Sequence, residues 1–238
     1  MSETKSDFVV TVSHELRTPL TSITAYAELL QGDPELSPRQ AGFVDAIARN
    51  AVRLRSLTDD LLVLSGFAAM EQQMQMQAVD LREVVAQARE VILTLGTGRD
   101  INVDFVLPEQ ALFVTGDAAH LERVVLNLVG NAIKFSEQGG KVVCQLCESK
   151  TEVVLEVCDK GIGIPLDEQH GLFTKFFRGS SAREHAVEGT GLGLHIVASI
   201  VKTHGGSISV DSDTGRGTTL TIRLPRRSDG SDSGEHPG

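Results

Sequence analysis

Residues 120–135 read HLERVVLNLVGNAIKF, and this stretch decides how the second half of the chain folds. Apolar side chains fall on most of its faces, which predicts a largely buried helix. Asn127 and Asn131 interrupt the apolar run one helical turn apart, and an unpaired amide in such a helix is unfavourable. Their oxygens can point at one hard cation of the kind that bridges phosphates, and Lys134 adds a positive charge nearby. A solvated polar face is the alternative, and the apolar setting favours a functional role.

The sequence around this helix predicts an α+β domain, with helices layered on a mixed or antiparallel sheet. Asp80 and Asp117 are suitable N-caps for two of its helices. The Gly-rich stretch 161–190 has no single period. Helices are predicted at 80–94, 117–135 and about 191–204, and strands at 101–106, 111–115, 141–148, 152–158, 206–211 and 217–224.

Two amphipathic helices precede this domain. Residues 31–38, QGDPELSP, predict a turn between them. One hairpin of this size cannot cover both apolar stripes, whereas pairing with a second copy into a four-helix bundle can, so we expect a homodimer. The stripes consist of Phe8, Val12, Leu16, Pro19, Ile23, Tyr26 and Leu30, and of Phe43, Ile47, Ala51, Leu54, Leu57, Leu61, Leu64 and Ala68.

These patterns predict four regions. A helical hairpin occupies residues 1–70 and a polar, helix-compatible linker, EQQMQMQ, occupies 71–77. The α+β domain extends over 78–225, and the low-complexity tail 226–238 is predicted to be disordered.

Composition excludes several classes of protein. The 238 residues contain 22 Lys and Arg against 32 Asp and Glu, a net charge of −10, which argues against nucleic acid as a partner and against direct membrane contact. No window approaches the ~18 apolar residues of a membrane span. No signal peptide is visible, and three cysteines cannot close a disulfide framework. The expectation is a soluble, cytoplasmic protein.

The first helix carries a candidate nucleophile in SHELRTPLTSI, residues 13–23. Helical geometry places His14 away from the apolar stripe, with Thr18 one turn later on the same side and Pro19 bending the helix just beyond. A neutral imidazole can act as a nucleophile, and the Glu15 carboxylate could hold its ring N–H. Taken alone, an incidental surface histidine is the usual explanation.

The segment CDKGIGIP, residues 158–165, suits a purine. Asp159 at a strand end offers an acceptor for an exocyclic amine, and Gly161 and Gly163 allow close backbone approach. Because Asp-x-Gly-x-Gly is also common in ordinary turns, this segment alone is weak evidence.

Two more segments suit phosphates. LFTKFFRG, residues 172–179, contains Arg178, which could reach a phosphate, although a solvated cation on an apolar lid is an equal alternative. GTGLGLHIV, residues 189–197, leads into a helix whose first N–H groups can bind phosphate. It is neither a Walker A motif nor a dinucleotide fingerprint. Its glycines are Gly189, Gly191 and Gly193.

Together, the segments resemble the H, N, G1, F and G2 boxes of two-component sensor histidine kinases, in that family's order and at its usual spacing. The resemblance covers residues 5–225. It implies that the hairpin is a dimerisation and histidine-phosphotransfer domain. It also implies that residues 78–225 form a GHKL-type ATP-binding domain, a Bergerat-type α/β sandwich shared with gyrase and Hsp90.

The resemblance implies the catalytic roles. His14 would accept the γ-phosphoryl group of ATP on a ring nitrogen, Glu15 would activate it, and Arg178 would neutralise charge on the transferred group. The phosphoryl group would then pass to an Asp of a response regulator receiver domain. Thr18 matches a position that orients water for dephosphorylating the regulator, so regulator phosphatase activity is expected as well.

It also implies the nucleotide contacts. Asn127 and Asn131 would hold Mg²⁺, with Lys134 near the phosphates, and Asp159 would bind the adenine amine. Five glycines would shape the pocket and its lid: Gly161, Gly163, Gly189, Gly191 and Gly193.

Two residues depart from the family pattern. Lys160 stands where Asn is frequent, and His195 stands where a small residue is frequent. We expect these departures to affect lid dynamics and nucleotide affinity rather than the activity. Outside the boxes, His204 is interpreted as a helix cap rather than a second phosphoacceptor. Cys144 and Cys147 are interpreted as packing residues rather than metal ligands.

Two other functions compete with the kinase: a regulator phosphatase that binds nucleotide with little autokinase activity, and an ATP-driven clamp like those of gyrase or Hsp90. His14 together with the ATP-site residues argues against the first, and the His-Glu-x-x-Thr hairpin argues against the second. The sequence contains no sensor domain. We therefore expect a piece of a longer, membrane-anchored receptor, and the alternative is that a separate partner supplies the signal.

Overall fold

A computed structural model gives the fold of the chain. It describes residues 16, 19–31, 33, 35–48, 50, 51, 54, 58, 74–180, 182 and 190–227. The chain forms two compact units, Met1–Gln73 and Met74–Gly238. The predictions for His14, Glu15, Thr18 and Gly189 fall outside the described residues.

Within the described residues, the first unit contains two helices, α1 (residues 16 and 19–31) and α2 (residues 38–48, 50, 51, 54 and 58). The predicted turn between them ends in a capping box. The backbone N–H of Ser37 donates to Oε1 of Gln40 at 3.0 Å, and the N–H of Gln40 points back at the Ser37 hydroxyl at 3.4 Å. Pro38 then occupies the first helical position, where it needs no N–H partner.

A small core closes this hairpin, and much of its apolar surface stays uncovered. Ala27, Val44 and Ala48 are buried together, with Leu36 packed against them. Ile47 is nevertheless 51% exposed. A surface groove runs beside this core and is lined by Leu20, Ile23, Ala46, Ile47, Asn50, Ala51 and Leu54.

The second unit contains seven strands and four helices within its described part. The predicted elements occur within a few residues of their expected bounds, whereas β1 and α5, of four residues each, were not predicted. The elements are β1 (Gln77–Asp80), α3 (Leu81–Thr97), β2 (Asn102–Val106), β3 (Phe113–Gly116), α4 (Ala118–Phe135), β4 (Lys141–Glu148), β5 (Glu152–Asp159), α5 (Leu166–Gln169), α6 (Gly193–Thr203), β6 (Ser207–Asp213) and β7 (Gly217–Pro225).

The strands form a five-stranded sheet, in the order β2-β4-β5-β7-β6, and a separate two-stranded pair, β1-β3. Only β2 and β4 pair in parallel in the larger sheet. The helix α4 lies between these two strands in sequence and provides the crossover that parallel pairing requires. Helices α3, α4 and α6 bury their apolar sides. The fold is α+β, as predicted.

Both predicted aspartate caps are present. The Asp80 side chain accepts the N–H of Arg82 at the start of α3, and that of Asp117 accepts the N–H of His120 at the start of α4. Asp117 also accepts the N–H of Gln75 at 3.0 Å. The predicted linker is therefore attached to the cap of α4, and none of its described residues, 74–77, is helical.

At the other end of the unit, Arg226 and Arg227 donate their N–H groups to Thr151 and Phe113. These two residues begin the predicted tail, and residues 228–238 lie outside the described part of the chain.

The cysteines are unpaired and differ in exposure. Burial raises the pKa of the Cys144 thiol to about 12, which suits a packing residue. Cys158 is exposed, because alternation along β5 turns it to the face opposite Asp159. Among the described residues, no three His, Cys, Asp or Glu side chains form a group that could hold a metal ion. The described helices are also too short or too polar to span a membrane.

Candidate nucleotide-binding site

A buried carboxylate marks one end of the site. Asp159 ends β5 and is 7% exposed. Its Oδ1 accepts the N–H of Gly161 at 2.9 Å and the N–H of Thr218 at 3.2 Å, which leaves Oδ2 for a ligand. Burial raises the pKa of Asp159 above the ordinary 3.8, and the two backbone hydrogen bonds oppose that rise. An acceptor of this kind suits the exocyclic amine of a purine.

The loop after Asp159 is held against two other elements. Gly163 has φ +65° and lies so close to the Asp213 carbonyl oxygen that a Cβ would collide with it. Gly161 lies equally close to the carbonyl oxygen of Phe135, the last residue of α4. The loop therefore joins the end of α4 to the turn between β6 and β7.

Sequence reasoning missed a polar group that supports this loop. The Ser212 hydroxyl accepts the N–H of Ile164 at 2.9 Å, donates to the Gly217 carbonyl at 2.8 Å, and lies 2.9 Å from the Thr218 hydroxyl. Gln169 donates to the carbonyl oxygens of Ile164 and Ser212. Strand periodicity places Ser212 in β6 but cannot predict these partners, which are distant in sequence.

Helix α4 is largely buried, as predicted, and its amides remain accessible. Asn127 and Asn131 are half-buried, and Lys134 is half-buried one turn farther along. Nδ2 of Asn127 donates to the Arg123 carbonyl at 2.9 Å, so the oxygen of that amide faces away from its own helix. The two amides supply neutral oxygen ligands, which magnesium accepts.

The Asn127 oxygen meets the start of α6. A Cβ on Gly193, the first residue of α6, would lie 2.7 Å from Oδ1 of Asn127. The N–H groups of the first helical turn have no partner within the helix, and they favour a phosphate. The structure thus places a candidate cation ligand beside a candidate phosphate site.

The segment that carries Arg178 packs against the loop before α6. Gly191 has φ +74°, and a Cβ there would lie 2.7 Å from the Phe177 carbonyl oxygen. Arg178 itself is half-buried. After it, the N–H of Ser180 lies 3.0 Å from each oxygen of Glu168, a second residue that sequence reasoning missed.

Two groups of predicted residues are thus in direct contact: Asp159 with Gly161, and Asn127 with Gly193. Arg178 is connected to the site indirectly, because its neighbour Phe177 packs against Gly191 in the loop before α6. The arrangement can bind a purine at the Asp159 end and phosphates at the α6 end, with the α4 amides available to a bridging cation.

Comparisons with known proteins agree with this geometry. Residues 4–68 match the His Kinase A (phospho-acceptor) domain family, and residues 116–228 match the family of histidine kinase-, DNA gyrase B- and HSP90-like ATPases. The sensor histidine kinase WalK of Bacillus subtilis is 35% identical over 98% of this chain. The chain spans only 38% of the length of WalK.

Solved structures give the same result. The mycobacterial sensor histidine kinase MprB is 37% identical, with a TM-score of 0.57 over 63% of this chain and 99% of that one. Full-length ShkA in complex with AMPPNP is 26% identical, with a TM-score of 0.73 over 93% of this chain and 46% of that one. AMPPNP, an ATP analogue, is bound to ShkA in that structure.

Proposed function

This chain belongs to the two-component sensor histidine kinases, and we propose that it uses ATP to phosphorylate His14 and then passes the phosphoryl group to a response regulator. One observation carries the proposal: the Asn127 oxygen lies against the first turn of α6. A cation ligand and a phosphate-binding helix end are adjacent there, as a kinase that uses a metal nucleotide requires.

Asp159 orients the nucleotide in this proposal. Its Oδ1 is engaged by two backbone N–H groups, so Oδ2 accepts the amine of adenine. The N–H groups at the start of α6 bind the phosphates. The donor set of α4 fits Mg²⁺, because both amides offer oxygens and the Asn127 oxygen is turned outward. When bound, Mg²⁺ would neutralise phosphate charge, and Asn127 and Asn131 would hold it, with Lys134 near the phosphates.

The proposed reaction transfers one phosphoryl group. A nitrogen of His14 forms a bond to the γ-phosphorus while the bond from that phosphorus to the β-phosphate oxygen breaks, and ADP leaves. Glu15 holds the proton on the other ring nitrogen, which strengthens the attacking one. Arg178 stabilises negative charge on the transferred group.

A carboxylate of the regulator's receiver domain would then attack the phosphohistidine and take the phosphoryl group. Thr18 would position a water that hydrolyses the regulator's aspartyl phosphate. The match of residues 4–68 to the phosphoacceptor domain family supports this phosphatase step.

The uncovered face of the hairpin supports a homodimer. The groove between α1 and α2 is apolar except for Asn50, and a second copy of the same hairpin would cover it in a four-helix bundle.

Labelling with γ-³²P-ATP and Mg²⁺ tests the kinase. The chain should acquire acid-labile, alkali-stable label, and His14→Gln should acquire none while still binding nucleotide. Unlabelled wild-type protein that binds ATP would contradict the autokinase. Dephosphorylation of a phosphorylated regulator would then separate the phosphatase from an ATP-driven clamp, which would release inorganic phosphate from ATP without any regulator.

A further inference from the structure

A histidine occupies an unusual place in α6. Nδ1 of His195 lies 2.9 Å from the carbonyl oxygen of Phe173. Because a carbonyl only accepts hydrogen bonds, Nδ1 must carry the proton, and both the neutral and the charged ring can then donate. His195 therefore connects α6 to the segment that precedes Arg178.

That segment is a chain of tight turns, which connects Phe173 to Arg178 through local backbone hydrogen bonds. The N–H of Thr174 donates to the Gly171 carbonyl at 2.9 Å, and the N–H of Phe177 points to the Thr174 carbonyl at 3.4 Å. Arg178 follows directly. The anchor at Phe173 therefore acts only five residues before Arg178.

A second anchor lies just after Arg178. The Glu168 carboxylate receives the N–H of Ser180, and a Cβ on Gly179 would lie 2.6 Å from Oε2 of Glu168. Glu168 thus holds the end of the segment that carries Arg178. His195 connects the same segment to α6 through its hydrogen bond to Phe173. Gly191 adds backbone packing to that contact.

The same turn of α6 reaches the candidate cation ligand. Gly193 touches the Asn127 oxygen, and His195 is two residues farther along. One rigid helical turn therefore contacts α4 through Gly193 and the Arg178 segment through His195.

We propose that His195 is a positioning residue for the phosphoryl transfer. Its hydrogen bond to Phe173 sets where Arg178 stands relative to Asn127 and the end of α6. This inference depends on the proposed kinase function, since it assigns His195 an effect that acts through Arg178. Preorganised groups accelerate phosphoryl transfer, and small misplacements slow it markedly.

Two variants separate the hydrogen bond from the side-chain volume. His195→Ala removes the donor, whereas His195→Asn places an amide N–H near the position of Nδ1. At saturating ATP we expect His195→Ala to slow labelling of His14 by about three- to tenfold and His195→Asn to stay near the wild-type rate. The dissociation constant of trinitrophenyl-ATP should change by less than about twofold in both variants. His170→Ala, at an exposed histidine of the same segment, is the matched control.

A double-mutant cycle tests whether His195 acts through Arg178. In an Arg178→Ala background, His195→Ala should slow labelling no further, because the group that it positions is gone. Independent, additive effects would overturn the proposal, as would an equal loss of rate in His195→Ala and His195→Asn.

Amide hydrogen exchange of the peptide covering residues 171–179 gives a readout that does not depend on activity. Exchange should accelerate in His195→Ala and stay at the wild-type rate in His195→Asn. Equal exchange in wild type and His195→Ala would overturn the inference. Absence of label on wild-type His14 would instead overturn the proposed function, so the two failures are distinguishable.

Discussion

At the scale of single residues, Asp159 is the proposed acceptor for the adenine amine. Asp159→Asn keeps an oxygen for the N–H groups of Gly161 and Thr218 but directs an amide N–H at the adenine amine. A hydrogen bond to a charged group contributes about 1.5–3 kcal/mol, so ATP affinity should fall by about 10- to 150-fold. Calorimetric titration with ATP measures this, and Asp104→Asn, at a half-buried acid on β2 that pairs with Lys141, should bind normally. Unchanged affinity in Asp159→Asn would mean that adenine binds elsewhere.

The same carboxyl should make nucleotide binding sensitive to acid. Burial raises the pKa of Asp159 above 3.8, so the carboxyl takes up a proton at a higher pH than an exposed aspartate does. Once protonated, it loses charge as an acceptor, and affinity for trinitrophenyl-ATP should fall as the pH drops through this raised value. Asp159→Asn, which cannot titrate, should lose that part of the pH profile. Parallel profiles for the two proteins would exclude Asp159 as the cause.

Single residues also show the reach of sequence reasoning. Asp159 could be proposed as a ligand from the sequence because a carboxylate before Gly-x-Gly at a strand end has a local pattern, and that role stays a prediction. The hydrogen bonds of Ser212 and Glu168 could not be predicted, because their partners Ile164 and Ser180 lie 48 and 12 positions away in the sequence. No sequence pattern relates residues at those separations.

At the scale of elements, His204 connects the end of α6 to the start of α4. It is buried at the C-cap of α6, which confirms its interpretation as a cap. Its Nε2 accepts the N–H of Asp117 at 3.0 Å, so the proton is on Nδ1, which donates to the Ile200 carbonyl at 2.8 Å. A Cβ on Gly116 would lie 2.6 Å from the ring. This connection requires a neutral imidazole.

Stability should therefore depend on pH through His204. Burial lowers the pKa of His204 from 6.5, His120 lowers it further, and Ile200 and Asp117 oppose the change. The unfolded chain thus binds more protons, so this contribution is complete above pH 6.5 and is lost as pH falls through the folded pKa. Urea unfolding between pH 7 and pH 5 should show a smaller pH dependence in His204→Gln, whose amide oxygen can still accept the N–H of Asp117. An unchanged slope would assign the pH dependence to other groups.

Elements with a clear apolar pattern were predictable, including the four-residue strand β3, whereas β1 and α5 were not. The apolar period of α4 extends over 18 residues, and Asp117 marks its start. β1 and α5 have only four residues each, and their formation depends on contacts with distant parts of the chain. β1, for example, pairs with β3.

At the scale of the whole molecule, association should depend on the groove of the first unit. Ile47→Glu places a charge in this apolar groove and should shift the chain from dimer to monomer in sedimentation equilibrium. Ala25→Glu, at an exposed position of α1 outside the groove, should remain dimeric. If both proteins sediment as dimers, the interface lies elsewhere, and if the wild type sediments as a monomer, the proposed homodimer is wrong.

The larger sheet has one further consequence. Strands β5 and β7 are hydrogen-bonded neighbours, although the loops, α5, α6 and β6 lie between them in sequence. The described loop residues 160–165, 170–179 and 190–192 contribute no rung to any ladder, whereas α6 beyond them buries its apolar side in the core. Changes of conformation in these loops can therefore break and remake loop contacts while the sheet keeps its strand pairings. The domain can therefore combine a sheet that opens only on global unfolding with loops at the candidate nucleotide site that open separately, with a free energy of their own.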